Sequence, residues 1–269
     1  MRFSVTAHSS FLSLTLCVGL WGWAGTVEAY IPPAHFIVKS VVAQRAGFKG
    51  MRIRSTVVGF DGQKSSGLHF KVVTLFDART RAIRSHALDD GGRELYAMER
   101  QLTSNEQGIF LPDAILFESN LDHLTRGLRH AGIPISSEGE VAEITWLGRI
   151  NGMIAWVIGK KDPSQPQLWI EKDRFLPIRL IDKVEGNLAD LRFENFRFFK
   201  EFPYPRSTTL VRLSGNKEET VLRDELNELN INPDLSEMRS PLQSGLTDAG
   251  NSSESPLRDL IKAYYLMVR

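Results

Sequence analysis

The chain has one cysteine, almost no net charge and no apolar run long enough to cross a bilayer. The cysteine, Cys17, lies in the leading segment. Without that segment neither disulfides nor thiol chemistry are available, and stability must come from a buried core. The 33 basic side chains nearly cancel the 32 acidic ones, for a net charge of +1. That balance gives no electrostatic pull toward nucleic acid or an anionic membrane surface. The longest apolar run, Phe11 to Trp23, is interrupted by Ser and Gly and falls short of the roughly 20 residues a spanning helix needs. No stable transmembrane anchor is expected. Catalytic spacing is missing as well: there is no His-Glu-x-x-His pair, no Gly-x-Ser-x-Gly elbow and no phosphate-binding Gly-rich Lys-Ser/Thr loop. Asp122, His123 and His130 share one helical stretch. A zinc site needs three or four converging ligands, so they read as residues of a polar face rather than a weak metal site. No enzyme, metal or cofactor is indicated.

What the chain does have begins with Arg2, the apolar run and a small-residue boundary, Val27-Glu28-Ala29. Together they read as a secretory signal peptide, cleaved after Ala29. Leu16 stands before Cys17 where a lipoprotein would carry a small residue, so the expected product is a soluble periplasmic protein. Its organisation reads as 1–29 signal peptide, 30–235 one binding domain, 236–256 flexible linker and 257–269 C-terminal amphipathic helix. The linker rests on its Ser, Gly, Asn and Pro content.

Within 30–235, Ala34, Ile37, Val38, Val41 and Val42 recur at helical spacing after Pro32-Pro33, with Lys39, Ser40, Gln44 and Arg45 read as the other side. The period then changes to two. Strands are expected from Met51 to Val57, Leu68 to Phe76, Ala82 to Leu88 and Glu94 to Leu102, joined by short turns. The stretch from Pro112 to Pro134 reads as one or two inserted helices. Strands resume at 141–147 and 152–158. Beyond them, a phase change between Phe193 and Phe196 predicts a bulge near Glu194-Asn195 that returns Phe196 and Phe198 to the apolar face. A last hairpin is expected over 207–222.

The centre of the pattern is Gln167 to Ile181, QLWIEKDRFLPIRLI. Leu168 and Ile170 alternate with polar neighbours, Lys172-Asp173-Arg174 makes a charged turn, and Ile178 and Leu180 resume the alternation around Arg179. This hairpin resembles the one found mid-chain in periplasmic lipoprotein carriers of the LolA/LolB kind, with their Trp-Ile strand, charged turn and Leu-Pro. The order of elements from Ile31 to about Leu235 resembles that family too. The Arg-Pro-x-x-Phe-Arg run of the better-known carriers does not occur between Met51 and Phe76, so no lipoprotein-hook residue carries over.

The resemblance implies a mainly β (α+β) fold: an incomplete antiparallel β-barrel or curved sheet around a hydrophobic cavity, with covering helices. It implies a carrier that binds lipoprotein acyl chains or lipid, serving outer-membrane lipoprotein sorting or lipid transport. The cavity-lining candidates are Ile37, Val41, Met51, Ile53, Leu168, Ile170, Ile178, Leu180, Leu191 and Phe193. The alternative class is a non-enzymatic sensor or envelope-assembly protein, with a filled interior and envelope proteins as partners. A hydrolase would need a convergent polar cluster in the pocket. The C-terminal stripe Leu257, Leu260, Ile261, Tyr264 and Val268 is expected to pack on its own domain and compete with ligand, since an isolated helix of this length is marginal in water.

Overall fold

Two periodicities separate along the chain, and each apolar set ends on the same surface. The computed structural model describes residues 31–102, 110–135, 144–184, 187–214, 217–239, 242 and 255–268. The segment expected to be a signal peptide, the onset of the strand expected at 141 and most of the expected connector lie outside the described residues. Contacts divide the chain between Ile31 and Pro32, and the fold below is that of the unit from Pro32 onward.

Helix α1 spans Ala34–Ala43, and Gly47 closes the turn after it with φ of 89°, a conformation open to glycine at no steric cost. Strands β1 to β4 follow at Gly50–Asp61, Lys64–Asp77, Ala82–Leu88 and Glu94–Gln101. Helices α2 (Leu111–Phe117) and α3 (Leu121–His130) interrupt the strands. Asn120 caps α3, its side chain accepting from the His123 amide at 3.1 Å. The chain then runs through β5 (Thr145–Ile150), β6 (Met153–Gly159), β7 (Gln167–Glu171), β8 (Pro177–Val184) and β9 (Asn187–Glu194). A small hairpin, β10 (Arg197–Phe199) with β11 (Phe202–Tyr204), precedes β12 (Ser207–Ser214) and β13 (Lys217–Ile231). Helix α4 covers Pro256–Met267.

Among the described residues, eleven strands form one open antiparallel sheet in the order β4-β3-β2-β1-β13-β12-β9-β8-β7-β6-β5. The first and last strands of the sheet pair at its middle, from Met51 opposite Ile231 to Gly59 opposite Leu222. One apolar face runs across this sheet. Met51, Ile53 and Val57 of β1 stand beside Phe76 and Phe70 of β2, and Leu180, Leu191 and Leu210 sit opposite one another on β8, β9 and β12. Together with the buried faces of the four helices they make one core cluster. A smaller cluster of Ala155, Val157, Trp169 and Ile178 occupies the outer face. There Trp169 lies across Gly148, where a Cβ would meet the ring at 2.5 Å.

Three expectations change. Ile178 does not share a face with Leu180: Trp169 pairs with Arg179 and Ile170 with Pro177. Ile178 is therefore the extra residue of a β-bulge, and two successive side chains turn outward together. No bulge at Glu194-Asn195 returns the later phenylalanines to the sheet. Asn195 takes φ of 56°, β9 ends, and Phe198 leaves in the separate hairpin, 55% exposed. Finally, the connector does not begin at 236, because Ser236–Arg239 form a 3-10 turn. Arg84 donates to the Glu237 carbonyl at 2.8 Å and the Met238 carbonyl at 3.2 Å, and Arg52 pairs with the Glu237 carboxylate.

Helix α4 packs on the inner face of the first strands. Tyr264 is fully buried, meets Phe70 edge-on at 5.6 Å and donates to Asp224 at 3.1 Å. Tyr265 meets Tyr96 at 4.6 Å, and its carbonyl accepts from Arg100. Leu260 lies over Gly59, where a Cβ would stand 3.0 Å from it. Tyr264→Ala is expected to cost about 3–5 kcal/mol in urea unfolding, as for other large buried aromatics. Phe198→Ala, at an exposed site, should stay within about 0.5 kcal/mol. Equal effects would place Tyr264 outside the core.

Candidate functional site

The inner face of the sheet is where nine of the ten candidate residues meet. Ile37 and Val41 come from α1, Met51 and Ile53 from β1, Leu168 and Ile170 from β7, Leu180 from β8, and Leu191 and Phe193 from β9. Each is at most 1% exposed, and all belong to one cluster. Ile178 is the exception, held by its bulge against Trp169 on the other face. In this state the chain's own helices occupy the space above these residues. Alternation places the strand residues there, and the 34-37-38-41-42 spacing turns α1 onto them.

The cover is incomplete at one end. Leu147 pairs with Trp156, and Ile154 shares that inner face two residues before it. Trp156 is buried, whereas Leu147 and Ile154 are each 41% exposed. The Trp156 indole N–H is buried without an acceptor among the described residues, and Lys172 Nζ stands 5.8 Å from the ring. Phe36 of α1, half exposed, touches Phe175 of the β7–β8 turn edge-on at 6.1 Å. The apolar surface therefore runs out from under the helices toward the tip of the β5–β6 hairpin.

Polar anchors hold the cover down. Gln44 Nε2 donates to the Arg174 carbonyl at 2.7 Å, tying α1 to the β7–β8 turn. Glu118, at the end of α2, is 2% exposed, pairs with Arg81 and accepts from the Asn120 amide at 2.7 Å. His123 lies 3.9 Å from it. Desolvation, together with the nearby Arg81 and Arg126 charges, holds the His123 imidazole below its ordinary pKa. Among the described residues no group of three or more His, Cys, Asp or Glu is placed to hold a metal ion.

Arg45 is the residue that the sequence pattern misplaced. It lies not on the polar side of α1 but buried in the turn just past the helix end, 3% exposed. Its Nε donates to the Leu116 carbonyl at 3.1 Å and its Nη1 to the Val41 carbonyl, while Nη2 is buried without a partner among the described residues. The readable signal was the spacing 38-41-45, since a residue seven positions on lies nearly under the first. The arginines of the first four strands also divide. Arg54 stays on the outer surface beside Glu228 at 2.8 Å, whereas Arg84 is buried under the 3-10 turn and Arg100 faces inward to α4.

Clefts open around this core. One of about 600 Å³ lies where α1 joins β1, lined by Phe48, Lys49, Ser119 and Pro233 among others. A second, about 690 Å³, lies on the polar ground of Arg197, Arg206 and Arg223.

An open antiparallel sheet with helices laid over its apolar face is the class this fold defines, and it agrees with the fold class expected from the hairpin. No family model and no curated protein matches the sequence. Among solved structures, this chain is similar to a LolA superfamily protein from Nitrosomonas europaea. The identity is 12% and the TM-score 0.48, over 77% of this chain and 97% of that one. It is also similar to a putative outer membrane lipoprotein-sorting protein domain from Vibrio parahaemolyticus, at 12% identity and TM-score 0.47, over 76% and 94%. A DUF1329 family protein from Desulfovibrio piger gives 12% and 0.39 over the same shares.

Burial lowers the Arg45 guanidinium to a pKa of about 9. The sign follows from linkage: below about pH 9 the cation is charged in both folded and unfolded chains, and the full desolvation cost opposes folding. The cost is relieved only as pH rises above that value toward the ordinary arginine range. Arg45→Met should therefore stabilise the protein at pH 7, by roughly 1–4 kcal/mol in urea titrations, as when buried charges elsewhere are replaced by apolar residues. The gain should shrink at pH 10. A loss of stability at pH 7 would contradict the assignment of Arg45 as an uncompensated charge.

Proposed function

We propose that the protein is a non-enzymatic periplasmic carrier whose apolar inner face takes up acyl chains of a lipoprotein or lipid. The observation that carries this reading is the form of the cover. A continuous apolar sheet face is closed by short helices from three separate parts of the chain, not by a second sheet, and it emerges at Leu147 and Ile154. Helices on such a surface can shift without breaking a ladder, and each CH₂ taken in from water contributes about 0.8 kcal/mol. The lipoprotein-sorting designation of the Vibrio parahaemolyticus domain is in keeping with this reading. Export follows from the leading segment, and no described helix is long and apolar enough to cross a membrane.

One observation favours a second reading. With nine of the ten candidate residues at most 1% exposed, the interior is filled by the protein's own side chains, as in a sensor or assembly protein that works through its surface. Mass spectrometry of organic extracts from protein purified without detergent separates the two, with stoichiometric lipid expected for a carrier and none for the alternative.

In the carrier reading α4 is the displaceable part of the cover and competes with the acyl chain. Truncation after Asn251 should raise affinity for a fluorescent acyl probe by roughly 5-fold or more, the usual scale of coupling between competing states. An unchanged affinity would remove α4 from the mechanism.

A further inference from the structure

Arg45 stands where an apolar residue would serve folding better. The buried stripe of α1 runs through Ala34, Ile37, Val38, Val41 and Val42, and the buried guanidinium of Arg45 follows it in the turn just past the helix end. Three other buried or half-buried arginines meet carboxylates. Arg84 meets the Glu99 carboxylate at 2.6 Å, and on the outer face Arg179 and Arg192 share Asp190, each at 2.8 Å. Arg45 has only two carbonyl oxygens as partners among the described residues, and its Nη2 donors meet nothing. Neutral acceptors do not balance a charge removed from water, and an unmade bond on a charged donor is costlier still.

We propose that Arg45 is the head-group site of the acyl-binding face, and that the ligand it selects is a single-chain amphiphile with a monoanionic carboxylate. This rests on the carrier reading and names its ligand class. The chemistry of the site fits that charge. One guanidinium with one free nitrogen neutralises one negative charge, whereas a phosphate monoester dianion would leave a second charge unbalanced in the same dry place. The position fits as well. Arg45 sits at the end of the apolar stripe, so a chain lying along the inner face would bring its head to Nη2. A cleft of about 600 Å³ opens further along the chain from both partners, lined by Phe48, Lys49, Asp77, Arg79 and Ser119, although Arg45 itself does not line it. The same structure explains why the charge is tolerated when the site is empty: its other two nitrogens are held by the last turns of α1 and α2, which fixes Nη2 in place before ligand arrives.

Calorimetric titration of the full-length mature protein with laurate, 1-dodecanol and dodecyl phosphate tests this, because the three share a chain and differ in head. Laurate is expected to bind about tenfold or more tighter than dodecanol, the scale of one charge-assisted bond, and tighter than dodecyl phosphate. Arg45→Met should bring laurate down to the dodecanol value and leave dodecanol unchanged. Arg45→Lys, which keeps the charge, should retain a preference for laurate. Equal binding of laurate and dodecanol by the unaltered protein would overturn the head-group site while leaving the acyl carrier standing. Tightest binding of dodecyl phosphate would overturn the choice of carboxylate. If none of the three binds, the carrier reading itself falls, and this site with it. A purely structural clasp predicts instead that Arg45→Met lowers the melting temperature and changes laurate and dodecanol affinities alike, which would also refute the proposal.

Discussion

The structure depends on covering one face of a sheet that has no sheet partner. Eleven antiparallel strands present Leu, Ile, Val and Phe side chains on a single continuous surface. Each is worth about 1.5–3 kcal/mol when fully buried, so leaving the surface in water is untenable. A sandwich would solve this with a second sheet. Here the solution is α1 from before the first strand, α2 and α3 from an insertion in the middle, and α4 from beyond the last strand. None of these helices exceeds twelve residues, a length marginal in isolation. They persist because the sheet gives their apolar stripes somewhere to go, and sheet and helices therefore stabilise one another.

That mutual dependence shapes the polar interior. Anchors are placed where a helix must be fixed at a particular spot: Gln44 on the β7–β8 turn, Glu118 between Arg81 and the α3 cap, Arg100 on the end of α4, and Tyr264 on Asp224. Each joins a donor to an acceptor across two elements, as burial of polar groups requires. Arg45 breaks this pattern. It fixes α1 to α2 through carbonyl oxygens but leaves a charge that nothing in its described surroundings balances. Sites where local stability is given up are where function is first sought.

Much of the sheet was legible because alternation is a local signal. β3 and β7 fall at the residues their patterns predict, and the Asn151-Gly152 corner places the β5–β6 hairpin. What escaped depends on non-local facts. The bulge that turns Ile178 outward exists because β7 and β8 pair around Trp169 and Pro177, and no property of Ile178 itself announces it. Phe196 and Phe198 carried an apolar pattern into a segment that leaves the sheet altogether. The last hairpin was expected to end at 222, yet β13 spans Lys217–Ile231 and takes in Asp224, Glu225, Asn227 and Glu228. Asp224 and Glu225 pair on both sides, with β1 and β12, Glu228 pairs with β1, and Asn227, the extra residue at a register shift, donates to Thr56 at 2.8 Å. Arg45 was assigned by residue type where its spacing said otherwise.

The central claim is that the helices over the inner face are a cover that yields to an acyl chain. Amide hydrogen exchange, followed across the chain with and without saturating laurate, reads this directly. Protection is expected to fall across Pro256–Met267 and the exposed start of α1 near Phe36, while β7 and β8 keep theirs. Laurate bound with α4 as protected as before would contradict it, and would leave the inner face a closed core.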